Sequence, residues 1–383
     1  MVALELSEKG VFLALFFHSD DVDHLIPFKE AVAIAENALK DMVSSAGVNA
    51  PRKRLNLHRK VGEGQFDTVL NVYAGGSANY GAVGAQVALH RKAISGTTQR
   101  RPPFNPDQTE LALIYDSDTG SLLGVMAHRP RDFTGVADLR TPATSLAGLD
   151  LFARKDARRV GIYGSGQQAW ATFAGLRALR QIDSAKVFSP TPAHREGFAK
   201  KISARTGVKV TPVNKPELAA KDVDIILCMT NTNVPVIDGA WLEAGQYIVS
   251  VIGSNIELVK SGNLDKPRRE IDDGTLQRCD FIVALSKAQA IDSQQGDIYW
   301  PVQDGVITWD KVVEISDVLA GKVKGRTDDK QIILYKNQGG QGIVDIALAK
   351  KCYELAKQHG KGYEMKIEPR QNWWVQGGRA ETW

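Results

Sequence analysis

The residues best placed to act together chemically lie in RRVGIYGSGQQAW, where Gly164, Gly166 and Ala169 stand in G-x-G-x-x-A register. A short apolar run precedes them and a helical pattern follows, the context in which such a loop holds a dinucleotide pyrophosphate. Gly164 permits the tight turn, Gly166 lets backbone approach phosphate without a Cβ in the way, and Ala169 lets helix pack on strand. Exposed amides at Ser165, Gly166, Gln167 and Gln168, where the helix begins, favour the phosphate charge. A tight turn without a ligand would use the same glycines; the strand before, the helix after and the second strand beyond argue for nucleotide binding.

The second strand normally ends in an Asp or Glu that takes the ribose 2′-hydroxyl of NAD. Here Lys186-Val187-Phe188 runs into Ser189-Pro190-Thr191-Pro192-Ala193-His194-Arg195, which offers hydroxyls and a guanidinium but no carboxylate. Ser189, Thr191 and Arg195 suit a 2′-phosphate, because Arg makes paired charge-assisted hydrogen bonds to it. The expected cofactor is therefore NADP(H), with NAD(H) as the alternative and Arg195 as a plain solvated helix residue in that second reading.

The elements around this loop set the fold class. The chain has 383 residues, enough for more than one domain at roughly 100–200 residues each. It is 43% hydrophobic and 24% charged, with a net charge of +4 and no basic run, so disorder and a nucleic-acid footprint are both excluded. From about 148 to 320, short apolar runs alternate with helical stretches, which predicts a doubly wound α/β domain with a parallel sheet. Before it comes a helix within 26–45 and strands at 66–73, 84–89, 110–115 and 122–127, the last two a hairpin around Asp118-Thr119-Gly120. After it comes a helix at 343–359 and an aromatic tail with Trp373-Trp374, read as a packing anchor or a lid. Residues 1–147 and 321–383 are expected to form one discontinuous α+β domain.

Other signals exclude more than they assert. Cys228, Cys279 and Cys352 have no metal-ligand spacing and are odd in number, which predicts reduced thiols, a cytoplasmic setting and no metal site. The apolar run at 11–17 lacks a basic leader and a cleavage site, so it reads as a strand rather than a signal, and no window is long enough for a membrane span. The Pro-rich stretch at 95–109 is expected to be a lid or a surface excursion.

Several ordered blocks resemble the ornithine cyclodeaminase/mu-crystallin family: LRTPATSLAGLDLFARKDARRVGIYGSGQQA (139–169), MTNTNVPVIDGAWLEAGQYIVSVIGSN (229–255), RREIDDGTLQRCDFIVA (268–284), DVLAGKVKGR (317–326) and YKNQGGQGIVDIALAKKCYELA (335–356). The resemblance spans about 50–363. It implies a homodimer paired through the outer domain, a Rossmann domain for the nicotinamide cofactor, and an active site between the two. Members include imine and ketimine reductases, alanine-type dehydrogenases, and a cyclodeaminase that recycles its bound cofactor.

Carried over residue by residue, the resemblance makes Arg140 a substrate-carboxylate clamp, though an ion pair at the domain junction would use it equally. The family's earlier arginine falls on Arg52 or Arg54, with Arg54 the preferred match. Gln86 occupies the place of a substrate-contacting lysine and Asn255 that of a proton-transferring carboxylate, so neither can do general acid–base work. His90 is a candidate replacement for the lysine, or an exposed strand-end residue. Asp345 either orients the substrate amine or charges the first turn of the last helix. Thr230, Asn231 and Thr232, with Gly253 and Ser254, are placed against the cofactor, and Gly339 and Gly340 let backbone approach the nicotinamide. Losing two ionisable groups argues against ring-closing deamination. What is expected is an NADP(H)-dependent reductase of an α-imino acid C=N bond, with a cyclodeaminase holding NAD tightly or a non-enzymatic NADP-dependent binding protein as alternatives. Its partners would be an amino or imino acid and a second subunit.

Overall fold

A computed structural model describes residues 12–61, 64–95, 98–100, 110–128, 136–253, 256–260, 264–338 and 341–367. The expectations for Ser254, Asn255, Gly339, Gly340, Trp373-Trp374 and most of 95–109 lie outside the described residues.

The N-terminal region builds an antiparallel-rich sheet from β1 (Phe12–His18), β2 (Gly47–Asn49), β3 (Lys53–Val61), β4 (Gly64–Ser77), β5 (Ala82–Ser95), β6 (Thr98–Arg100), β7 (Glu110–Asp116) and β8 (Leu122–His128). Strands β7 and β8 form the expected hairpin, and the run at 11–17 is indeed largely strand β1, paired in parallel with β8. Alternation separates two faces. Register aligns Tyr73 with Gln86, Gln86 with Ala112, and Glu110 with His128, and this face is buried. On the opposite face Leu55, Leu57, Val83, Leu89 and Leu111 are exposed.

The second layer is a parallel sheet of β9 (Arg159–Tyr163), β10 (Ser184–Phe188), β11 (Lys209–Pro212), β12 (Ile225–Cys228), β13 (Tyr247–Ser250), β14 (Phe281–Ala284), β15 (Val312–Glu314) and β16 (Ile333–Lys336). Their order is β11-β10-β9-β12-β13-β16-β14-β15. Strands β12, β13 and β16 are buried at every position, as required of strands covered by helices on both faces. Strand β16 lies beyond the boundary expected at 320, so the chain leaves the parallel sheet only after Lys336. That strand escapes the sequence reading because it is short and ends in a lysine, which reads as solvent-facing. Lys336 is fully buried, its Nζ 2.6 Å from Asp297 Oδ2 and donating to Ser250 Oγ at 2.7 Å. The final strand, β17 (Tyr363–Ile367), returns to β1 in the outer sheet.

Two helices join the layers. Val136–Leu146 is tied to the parallel sheet by Tyr335, whose hydroxyl donates to the Thr144 carbonyl at 2.8 Å, and by Asn337 Nδ2, which donates to Thr144 Oγ1 at 2.9 Å and Ser145 Oγ at 2.8 Å. Gly342–Gln358 lies on the buried face of the outer sheet. It starts so close to β4 that a β-carbon on Gly75 would fall onto the Ile343 amide, and one on Gly342 onto the Ala74 carbonyl. One apolar core runs through both helices into the two sheets, and a second covers the far face of the parallel sheet around Tyr163, Ile226 and Leu334.

Candidate active site

Strand order reverses between β9 and β12, and ligands of open α/β sheets bind beyond the carboxyl ends of strands at such a point. A cleft of about 1320 Å³ opens there. Gly164 has φ +103° and sits against the Met229 carbonyl, so no side chain fits. Gly166 ends the loop before the helix Gln167–Leu179, and a β-carbon on it would meet nothing within 4 Å. A pyrophosphate fits that open space, with amides of the helix start directed at it. Ser165, Gln167 and Gln168 line the cleft, while Ala169 is buried beneath, packing helix against strand.

Ser189, Thr191 and His194 line the same cleft at the end of β10. Arg195 does not: its Nη1 donates to the carbonyls of Ser189 at 3.0 Å and Pro190 at 3.4 Å, so the guanidinium braces the loop. Thr230, Asn231 and Thr232 line the opposite wall at the end of β12. Their placement depends on Glu270, which sequence reasoning left unassigned. Its Oε1 accepts from the Thr230 amide at 2.9 Å and hydroxyl at 2.6 Å, and its Oε2 from Ser250 Oγ at 2.7 Å. Burial pushes the Glu270 carboxyl up, against the pull of Lys336 and of the hydrogen bonds from Thr230 and Ser250. An acid inside the RREID block was the available signal.

Glu270 Oε2 also accepts from the Val251 amide at 3.2 Å, and two residues on the chain reaches Gly253, where the outer domain meets the parallel sheet. A β-carbon on Gly253 would lie 2.9 Å from Arg52 Nη2 and 3.3 Å from Arg54 Nη2. Gly253 therefore faces Arg52, just before β3, and Arg54 within it. Arg54 Nε donates to Asn71 Oδ1 at 3.2 Å, and the guanidinium carbons of Arg52 and Arg140 each lie 5.8 Å from the Tyr73 ring centroid. Arg140 and Arg52 thus come together over one aromatic ring, while Arg54, the match preferred from sequence, is held on Asn71 beside Gly253.

Arg140 Nε is 2.8 Å from Asp345 Oδ1. Burial works against the Arg140 charge, but Asp345, Tyr73 and Glu110 outweigh it and raise its pKa. Burial likewise pushes the Asp345 carboxyl up, with Arg140 opposing. Asp345 is 1% exposed, and its Oδ2 has no hydrogen-bond partner among the described residues. Both readings of Asp345 are therefore compatible: it stands in the first turn of its helix, and it keeps one oxygen for a ligand.

Gln86 is buried, and its Nε2 donates to Glu110 Oε2 at 3.1 Å. Glu110 is also close to His90 Nε2, at 3.4 Å, and to His128 Nε2, at 3.9 Å, while His128 Nδ1 is 3.1 Å from Ser19 Oγ. His90 is thus part of an inward-facing acid–imidazole group rather than an exposed strand end. Burial pushes His128 down to about 4, with Asp20 opposing and Arg140 adding to the depression. Glu110 and His128 carry no local motif; only the strand register brings them to Gln86.

The profile of the ornithine cyclodeaminase/mu-crystallin family matches residues 16–360. The chain belongs to that family. Relatives within the ornithine cyclodeaminase/mu-crystallin family include a Δ1-pyrroline-2-carboxylate reductase of Bacillus cereus, 27% identical over 73% of this chain and 81% of that protein. The Thermococcus litoralis Δ1-pyrroline-2-carboxylate reductase, solved with NADH and L-proline, is 25% identical with a TM-score of 0.74, covering 92% of this chain and all of that one. An archaeal alanine dehydrogenase dimer with bound NAD shares the fold at 24% identity and TM-score 0.73, covering 93% of this chain and 100% of that one.

Proposed function

We propose that this protein is an NAD(P)H-dependent oxidoreductase that reduces the C=N bond of an α-imino acid. The observation that carries the reading is the convergence of Arg140 and Arg52 on the Tyr73 ring and of Arg52 and Arg54 beside Gly253, tied to the dinucleotide cleft by Glu270, which holds Thr230 on the cleft wall and the Val251 amide two residues before Gly253. A reduced nicotinamide bound in the cleft supplies hydride. The chain's own residues fix the acceptor: Arg140 and Arg54 hold the α-carboxylate by charge-assisted hydrogen bonds, which orients the α-carbon. Asp345 Oδ2 accepts from the imine N–H and favours the positively charged iminium, the more electrophilic form. Gln86 donates to Glu110 and holds no labile proton of its own, so the site suits an acceptor that arrives protonated.

NADPH is the preferred donor in this reading, because no acid ends β10 and Ser189, Thr191 and His194 face the cleft there. The exposed apolar face of the outer sheet fits pairing with a second copy of the chain, and the dimeric alanine dehydrogenase has the same fold. No helix among the described residues is long and apolar enough to cross a membrane.

The test is NADPH and NADH oxidation by the purified protein with α-keto acids plus ammonia or methylamine, and with preformed cyclic ketimines. Oxidation that needs both keto acid and amine is the expected result. Ammonia release from a diamino acid without net cofactor consumption would instead establish a cyclodeaminase, and absence of both a binding protein.

A further inference from the structure

Glu270 is fully buried, and its carboxylate lies between the ends of β12 and β13, two neighbouring strands of the parallel sheet. Five donors converge on it. Oε1 takes the amide and hydroxyl of Thr230 on the cleft wall, and Oε2 takes the Ser250 hydroxyl at 2.7 Å and the amides of Val251 at 3.2 Å and Ile252 at 3.4 Å, on the way to Gly253. Both hydroxyls are committed as donors. Thr230 Oγ1 accepts from the Thr232 amide at 3.3 Å and Ser250 Oγ from Lys336 Nζ at 2.7 Å, so each directs its one proton to Glu270. A protonated carboxyl would set a donor against donors, so this geometry requires the ionised form. Burial pushes that carboxyl up, and the Lys336 charge is the largest influence holding it down, ahead of the hydrogen bonds.

A fixed frame surrounds the charge. Lys336 Nζ also pairs with Asp297 Oδ2 at 2.6 Å, and Asp297 Oδ1 accepts from the amides of Glu270 at 2.9 Å and Ile271 at 3.0 Å, which closes a ring from Glu270 through Ser250, Lys336 and Asp297 back to the Glu270 backbone. On the same segment Arg268 Nε donates to the Thr232 carbonyl at 2.9 Å, so two residues of the cleft wall are held from 268–270. We propose that Glu270 is a positioning residue for the cofactor, an ionised carboxylate that locks the Thr230 wall to the end of β13, with Lys336 sustaining its charge through Ser250. It acts through Thr230 and Ser250 rather than by touching the ligand. The proposal rests on the dinucleotide reading of the cleft and goes beyond it in naming what holds the cleft in shape.

The experiment measures Kd for NADPH and NADH by fluorescence titration between about pH 6 and about pH 8.5 in Glu270→Gln, Lys336→Met and Ser250→Ala, each as a ratio to wild type so that titration of His194 and of the ligand cancels. An amide has one acceptor oxygen, so Glu270→Gln releases one of the two strand ends: the ratio should be about tenfold or more, and the same at every pH. Lys336→Met and Ser250→Ala leave Glu270 titratable with less support, so their ratios should be smallest at the alkaline end and grow as the pH falls and the carboxyl takes a proton. The other charged groups facing Glu270 keep their state over this range, since burial pushes Arg268 down only to about 10 and pushes the Cys228 thiol up. Ser250→Ala keeps Lys336 on Asp297, so a rise there belongs to Glu270; a rise confined to Lys336→Met assigns the titration to Asp297 and overturns the proposal. Should the buried-charge variants not fold, Ser250→Ala, which removes one oxygen and no charge, carries the test alone. Ratios that stay flat with pH in Lys336→Met and Ser250→Ala, or an unchanged affinity in Glu270→Gln, overturn the proposal and leave the reductase reading intact. Wild type that binds neither dinucleotide overturns the cofactor reading and this proposal together.

Discussion

At the scale of single residues, the site is organised by charges that burial makes costly and neighbours make tolerable. Arg140 and Asp345 need each other: removing either leaves the other buried and unpaired, at a cost of about 3–5 kcal/mol in stability. Arg140→Lys is therefore the informative change, because it keeps a charge for Asp345 but loses the planar fork. It is expected to lower kcat/KM by about 100-fold through the carboxylate clamp, with NADPH affinity unchanged in a fluorescence titration. His128 makes a pH-dependent contribution of defined sign. Its pKa is pushed down to about 4 in the folded chain against an ordinary value of 6.5, so the unfolded chain binds the proton first as pH falls. The stabilisation is complete above pH 6.5 and is lost progressively down to pH 4, by about 3 kcal/mol. Denaturant midpoints between pH 7 and 4 should fall more steeply for wild type than for His128→Asn, and parallel curves would show that His128 does not titrate in this way.

At the scale of elements, the sequence was most informative where backbone geometry dictates residue type. The loop at Gly164–Ala169 was legible because a positive φ and close approach to Met229 admit only glycine at its first position. The two glycines have separable duties, and that yields a prediction. Gly166→Ala meets no protein atom, so the melting temperature should hold while cofactor affinity falls about tenfold, since the added methyl occupies phosphate space. Gly164→Ala should lose both stability and binding, from strain of about 1–3 kcal/mol. Strand β16 and the Glu110–His128 pair were not legible. The first ends in a lysine whose partner, Asp297, lies 39 residues earlier, and the second exists only once β5, β7 and β8 align. Such pairings depend on tertiary register, which local periodicity does not encode. Arg195 shows the converse: its type suits a phosphate, but the carbonyls of its own loop hold its guanidinium.

At the scale of the whole molecule, the outer sheet has two unlike faces, and each sets a different requirement. Its inner face carries Arg54, Tyr73 and Gln86, proposed to meet the substrate, and is covered by the helix Gly342–Gln358, which approaches β4 backbone to backbone. Its outer face leaves Leu55 62% and Leu57 59% exposed, with Leu89 and Leu111 on the strands beyond. We propose that this apolar surface is the one through which two copies of the chain pair. Because strands alternate, Arg54 shares β3 with Leu55 and Leu57, so fixing the outer face also fixes the proposed clamp on the inner one. Pairing of two copies through this surface would then support catalysis without contributing a residue to the site. Leu55→Glu with Leu57→Glu should convert the protein from dimer to monomer in light scattering at micromolar concentration. The same change should raise the KM for the imino acid through a loosened β3 while leaving cofactor affinity at the distant Gly164–Ala169 loop unchanged. A variant that stays dimeric would place the subunit contact elsewhere, and one that turns monomeric with an unaltered KM would break the link between the two faces of β3.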